Sequence, residues 1–167
     1  MSALDHSGFV TPLPLTEGLL DWIRRQSRDT WHEIARKADF ADPAATIDLL
    51  LALNWISLQP DCDRATALLI LTRAAEAGLH AADCPAQMAP EAAHNFCRAL
   101  YAALEAGGFL QESLALSRRD RALIDRQLGP NGPFPLSDDD RQSAGRTVHR
   151  PAYGFYRQRP VLSSLAA

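Results

Sequence analysis

The sequence has few of the features that mark exported, membrane-spanning or strongly basic proteins. Its 167 residues contain three cysteines and one lysine, and no apolar run approaches the roughly 18 residues that cross a bilayer. Residues 1–16 contain no basic residue and no long apolar stretch, so we expect no secretory signal. We therefore expect a cytoplasmic protein with reduced thiols and no membrane partner. The 16 arginines and many alanines are typical of a GC-rich bacterial genome.

Charge is unevenly distributed along the chain. The net charge is −3, yet residues 1–112 have a balance of −7 and residues 113–167 a balance of +4. Five arginines and no acidic residue follow Asp140. Such a basic end can bind nucleic acid, lipid headgroups or an acidic protein. We favour a simpler expectation, in which this end lies on the acidic body of its own fold.

Helix signals dominate the first 128 residues, and no segment sustains the period-two alternation of a strand. Thr30 and Glu33 have the spacing of a capping box, and Gly78 and Gly107 follow apolar helical patterns as stop signals. Caps and stops together predict six helices, over residues 17–25, 29 or 30 to 37, 43–54, 63–77, 90–105 and about 117–128. Thr16 is the predicted cap of the first and Asp42 that of the third. Residues 109–116 are ambiguous between helix and extended chain.

These signals predict an all-α fold, a compact bundle of five to seven helices with an irregular C-terminal extension rich in proline and arginine. The helical domain covers residues 1–128 and the extension residues 129–167. Because the extension keeps Phe134 and the aromatic cluster 153–156, we expect it to dock on the helical body. Helices 43–54 and 63–77 are joined by a short loop, which predicts antiparallel packing.

The run from Trp55 to Leu71 is the most specific stretch of the chain. Pro60 ends one helix, Asp63 caps the next, and Leu68 to Leu71 make that next helix apolar nearly all round, so it should be central. Cys62 is predicted to be a buried packing residue, and Thr66 to bond back to the cap region or the preceding loop. We assign these four residues, Pro60, Cys62, Asp63 and Thr66, structural roles.

Chemistry-bearing patterns are weak. His80, Cys84, His94 and Cys97 could in principle hold zinc. Pro85 and Gly78 place the first pair in a loop, however, so we predict no metal and no cofactor. Cys62 precedes a helix N-terminus, which favours a thiolate, but the neighbouring Asp63 opposes it. No nucleophile elbow, P-loop or dinucleotide-binding motif is present in the sequence, and we predict no catalytic residue.

Binding candidates are aromatic or basic. They are Trp55, Arg64, Arg118, Arg119, Arg121 and Arg126. The last four form a basic patch with the arginines from Arg141 to Arg159 and the aromatics between them. This patch could contact phosphates in a nucleic-acid-binding module, although the isoelectric point of about 5.9 argues against nucleic acid. A pocket near Trp55, Cys62, His80 and His94 would instead indicate a small-ligand site or an enzyme.

The string Pro60-x-Cys62-Asp63-x-x-Thr66-Ala67-Leu68, within residues 55–73, resembles the bacterial domain of unknown function numbered 4274. That family also carries an Asn-Trp-Asp-Asp-Gly run well upstream, whereas here Asn54-Trp55 abuts the turn and Asp-Asp-Gly is missing. The resemblance implies no activity, because none is assigned to the family. Small helical proteins of this type occur beside bacterial toxin genes, so the resemblance suggests an immunity protein or an adaptor that binds a cognate toxin or effector.

Overall fold

The computed structural model describes residues 19–41, 43–81, 90–143 and 145–146. Within these ranges the chain forms six α-helices and no β-sheet, in agreement with the predicted all-α class. The helices are α1 (Leu19–Ile23), α2 (Arg28–Arg36), α3 (Pro43–Ser57), α4 (Arg64–Glu76), α5 (Pro90–Glu105) and α6 (Arg118–Leu128). In the described part of the chain no helix has the length and apolarity needed to cross a membrane.

Helix α4 is the centre of the bundle, as its four consecutive aliphatic residues predict. Leu68, Leu69, Ile70 and Leu71 are all fully buried, although they point in different directions around the helix. This is possible because α4 contacts α2, α5, α6 and, less extensively, α3. The helix ends at Glu76, and Gly78, two residues further on, has a positive φ of 73° that permits the chain reversal after the last turn.

The start of α2 corrects a prediction. Ser27, not Asp29 or Thr30, is the N-cap, and its hydroxyl accepts a hydrogen bond from the amide of Thr30 at 3.3 Å. With Ser27 as the cap, Glu33 lies a turn too far along the helix to reach back to it. Glu33 instead pairs with Arg36 at 2.7 Å. The local sequence is compatible with a helix capped by Ser27 and with one capped by Asp29 or Thr30. The structure has the Ser27 cap, and in that helix Glu33 pairs with Arg36.

The remaining boundaries differ from prediction by a few residues. The described part of α1 ends at Ile23, short of Arg25, and α3 continues to Ser57 rather than ending at Asn54. The predicted caps Thr16 and Asp42 lie outside the described residues. Helix α5 ends before Gly107, which has a φ of 69°, and Ser117 caps α6 by accepting the amide of Asp120 at 3.1 Å.

Residues 109–116 are extended rather than helical. Gln111 forms a parallel bridge with Asp63, and Leu114 forms another with Arg146. Farther along the chain, Phe134 and Leu136 are buried in the core. The aromatic cluster 153–156 lies outside the described residues.

Candidate functional site

The run that the sequence singles out is a structural joint. Pro60 sits at the second position of a turn closed by the amide of Cys62 on the carbonyl of Gln59, at 2.9 Å. One oxygen of Asp63 accepts the amide of Ala65 at 3.0 Å and so caps α4. Its other oxygen accepts the amide of Ser113 at 2.7 Å, the hydroxyl of Ser113 at 2.9 Å and the amide of Leu114 at 3.1 Å. The carboxylate is therefore fully engaged in holding the extended segment against α4.

Cys62 and Thr66 lie in the interior beside this joint. The Cys62 side chain is buried, and burial together with the charge of Asp63 raises the pKa of its thiol to about 12. At neutral pH the group is therefore a thiol and a poor nucleophile. Thr66 was predicted to bond back to the cap region or the preceding loop. Its hydroxyl instead lies 3.1 Å from Nδ1 of His32 on α2, because α2 packs directly on α4.

Arg64 lies in the interior rather than on a binding surface. Its side chain is only 10% exposed, and one terminal nitrogen donates to the carbonyl and to the carboxylate of Asp140 at 3.1 and 3.0 Å. The other lies 3.5 Å from Glu112. Arg64 thus joins α4 to residues that follow α6, and its charge is committed within the fold.

His80 and His94, two candidates for a metal or ligand site, lie close together, but Trp55 and Cys62 do not join them. Nδ1 of His94 is 3.0 Å from the carbonyl oxygen of His80, and the His80 ring contacts Phe134. No hydrogen bond or ring contact in the described ranges joins either histidine to Trp55 or Cys62. Groups of three or more potential metal ligands are likewise absent among the described residues, which exclude Cys84.

Trp55 lies half-buried on α3. Its ring meets that of Trp31 edge to face, with centroids 5.4 Å apart, and the guanidinium of Arg24 lies 6.0 Å from its centre. Leu51 and Leu58, one helical turn to either side, are 55% and 70% exposed. Trp55 therefore belongs to a partly exposed apolar strip that runs along α3 and continues to Leu58, just after the helix ends.

The arginines of α6 form the most exposed charged feature among the candidates. We call Arg118, Arg119, Arg121 and Arg126 the arginine face. All four side chains are exposed, since Asp120, Ile124 and Leu128 are the α6 residues buried against the core. Within the described ranges, no ion pair engages the first three, whereas Arg126 contacts Glu76 at 3.2 Å. The helix therefore presents a concentrated positive charge to solvent.

On one side of α6 lies a groove that we call the basic cleft. A cavity of about 770 Å³ runs between the end of α2, the end of α4 and the start of α6, and a smaller one of about 300 Å³ adjoins it along α6. Both are bounded by Arg73, Glu76, Arg119 and Asp120. The charged residues of the two linings are Arg36, Lys37, Asp39, Arg73, Glu76, Arg119, Asp120 and Arg126, five cations against three carboxylates.

The opposite side of α6 has the opposite character. A cavity of about 660 Å³ there, which we call the acidic cleft, is bounded by four carboxylates, those of Glu112, Asp125, Asp138 and Asp139. Arg121 and Arg141 also line it, but Arg141 pairs with Asp125 at 3.3 Å and with Asp138. The surface of α6 therefore divides a positive groove from a negative one.

Comparison with known proteins gives no relative for this chain. No family model, no curated protein and no solved structure matches it.

Sequence reasoning identified the arginine face but missed the clefts beside it. The residues that complete the basic cleft, such as Arg36 and Arg73, lie on α2 and α4, far from α6 in sequence. Only the packing of these helices against one another shows that the residues share one groove. A sequence signal does exist for the exposure of the α6 arginines, because they lie outside the stripe of Ile124 and Leu128.

Proposed function

We propose that this protein is a non-enzymatic binding protein that recognises another protein through the arginine face of α6. The observation that carries the proposal is the exposure of Arg118, Arg119 and Arg121 on one helix, with no ion pair to any of them within the described ranges. Clustered like charges repel one another, and a complementary partner would relieve that repulsion.

The arrangement of charge around α6 favours a protein over a nucleic acid. A phosphate backbone that approached the arginine face would also meet the carboxylates of the acidic cleft, with Asp125 on α6 itself. Nucleic acid carries one sign of charge throughout, so it would be repelled there. A folded protein can match a positive stripe beside a negative one, and such complementarity fixes the orientation of docking.

The concrete form of the proposal is an immunity protein or adaptor that binds a cognate toxin or effector. It is supported by the similarity of the Pro60–Leu68 segment to the domain of unknown function numbered 4274, and by the occurrence of such proteins beside toxin genes. In this structure the segment is a joint that fixes α4 against residues 111–114. We therefore propose that it supports the binding surface without contacting the partner.

A charge-reversal pull-down tests the binding proposal. Tagged wild type, the double variant Arg118→Glu/Arg121→Glu and the double variant Arg28→Glu/Arg98→Glu would be used as baits, with the neighbouring genes co-expressed. Arg28 and Arg98 are exposed arginines on α2 and α5, so the second variant changes the net charge equally at another place. We expect a protein retained by wild type and by the second variant, and lost from the first.

Two results would contradict this function. One is that no protein is retained specifically by the wild type in the presence of its neighbouring gene products. The other is tight binding of DNA or RNA that weakens steeply with salt and is abolished by Arg118→Glu/Arg121→Glu, which would assign the arginine face to phosphate contacts instead.

A further inference from the structure

We infer that the basic cleft holds an acidic segment of the partner protein, a stretch of chain rich in aspartate and glutamate. The inference rests on the proposed function and adds the chemistry of what is recognised. Its starting point is that the groove lies directly beside the arginine face and shares Arg119 and Arg126 with it. A partner docked on α6 would therefore extend into this groove.

The carboxylates that line the cleft already have partners within the protein. The two oxygens of Glu76 accept from Arg73 at 2.8 Å and from Arg126 at 3.2 Å. Asp120 is buried and bonds to the hydroxyl of Ser117, and Asp39 accepts the amide of Ala41 at 2.9 Å. Arg36 is paired with Glu33, which leaves four cations against three carboxylates along the groove. The remaining charge is therefore positive, and Arg119 has no ion pair among the described residues.

The guanidinium of Arg73 is held in place before any ligand arrives. It donates twice to the carbonyl oxygen of Arg36, at 2.9 and 2.7 Å, while Glu76 holds its other terminal nitrogen. A positioned cation loses little side-chain entropy on binding, which favours recognition of carboxylates. The neighbouring Arg126 and Arg119 extend the positive charge along α6.

Size and polarity favour a peptide over a small molecule. A volume of about 770 Å³ is within the range of ligand sites, but such pockets are mainly apolar and enclose their ligand. This cleft is bounded mainly by charged side chains and is continued by the smaller cavity along α6. An extended chain with carboxylates at intervals matches a long polar groove better than a compact ligand does.

Fluorescence anisotropy with a short labelled peptide tests the inference. The peptide alternates glutamate and serine, and its neutral counterpart alternates glutamine and serine. At low salt we expect the acidic peptide to bind wild type and Arg98→Glu equally, to bind Arg119→Glu about tenfold more weakly, and to lose affinity as salt rises. Arg119 is exposed near the N-terminus of α6, where a glutamate is compatible with the helix, and thermal melting would verify folding.

Four results would overturn the inference. Three of them are no binding of the acidic peptide at low salt, equal binding of the glutamine peptide, and equal affinity in wild type and Arg119→Glu. Displacement of the peptide by inorganic phosphate as effectively as by unlabelled peptide would also overturn it, because the cleft would then take single anions. None of these results decides the pull-down with Arg118→Glu/Arg121→Glu, so the two proposals fail separately.

Discussion

His32 shows how a single buried residue couples the stability of this protein to pH. The side chain is 1% exposed, and its Nδ1 lies 3.1 Å from the hydroxyl of Thr66. Burial lowers the pKa of His32 below 6.5, although the nearby charges of Glu33, Asp120 and Asp63 oppose the shift. Desolvation dominates because a protonated imidazole would lose its hydration in the core.

The sign of the pH dependence follows from that shift. Well above a pH of about 6.5 the imidazole is neutral in both states, and as the pH falls through this value the unfolded chain binds more protons at this position than the folded protein does. We therefore expect the free energy of unfolding to fall as the pH decreases from about 7 to about 5. Urea titrations at both pH values would measure the fall, and His32→Asn should reduce it. An unchanged fall in His32→Asn would contradict the assignment of the pH dependence to His32.

At the scale of elements, α4 and α3 show that helices with similar apolar sequences are buried to different extents. Both helices contain runs of leucine and alanine, yet Leu68 to Leu71 of α4 are fully buried while Leu51 of α3 is 55% exposed. Helix α4 has α2, α3, α5 and α6 around it, whereas α3 packs mainly against α1 and contacts α4 and α5 less extensively. The extent of packing around each helix decides how much each leucine contributes to stability.

The same substitution in the two helices gives a matched test. Leu69→Ala leaves a cavity in a packed core and should lower the free energy of unfolding by about 3 kcal/mol. Leu51→Ala removes mainly exposed surface and should change it by about 0.5 kcal/mol or less. Chemical denaturation of both variants measures the difference. Similar losses in the two would be inconsistent with α4 as the central helix.

At the scale of the whole molecule, two adjacent residues at the start of α4 connect distant parts of the chain. Asp63 binds Ser113 and Leu114, while Arg64 binds Asp140, which is 76 residues away in sequence. The region around the acidic cleft is held in this way, since Glu112 lies beside Arg64 and Asp140 follows Asp139. The joint therefore maintains one flank of the proposed binding surface.

Asp63→Ala tests that connection. The substitution removes the α4 cap and leaves the amides of Ser113 and Leu114 without their acceptor, so we expect a loss of about 3 kcal/mol in the free energy of unfolding. Hydrogen exchange should also increase across residues 111–115 before the molecule unfolds globally. Asp61→Ala, which changes an exposed neighbour, is the control and should have little effect. If Asp61→Ala and Asp63→Ala changed the free energy of unfolding and the hydrogen exchange equally, the structural role assigned to Asp63 would be contradicted.

The sequence by itself determined the features that one helical turn can encode. The cap at Asp63, the stop at Gly78 and the uniformly apolar α4 could be read directly, because caps, glycine φ angles and apolar periodicity act over a few residues. Even at this scale one prediction was wrong: α2 is capped by Ser27 and not by Asp29 or Thr30, because the local sequence is compatible with either start.

Only the tertiary structure decided which distant residues meet. The partner of Thr66 is His32, the second oxygen of Asp63 faces Ser113, and Arg73 shares a cleft with Arg119. None of these pairs has a local signature, because their side chains come together only when α2, the extended segment and α6 pack around α4. The exposure of the arginine face could be expected from the α6 pattern, but its position between a positive and a negative groove depends on that packing.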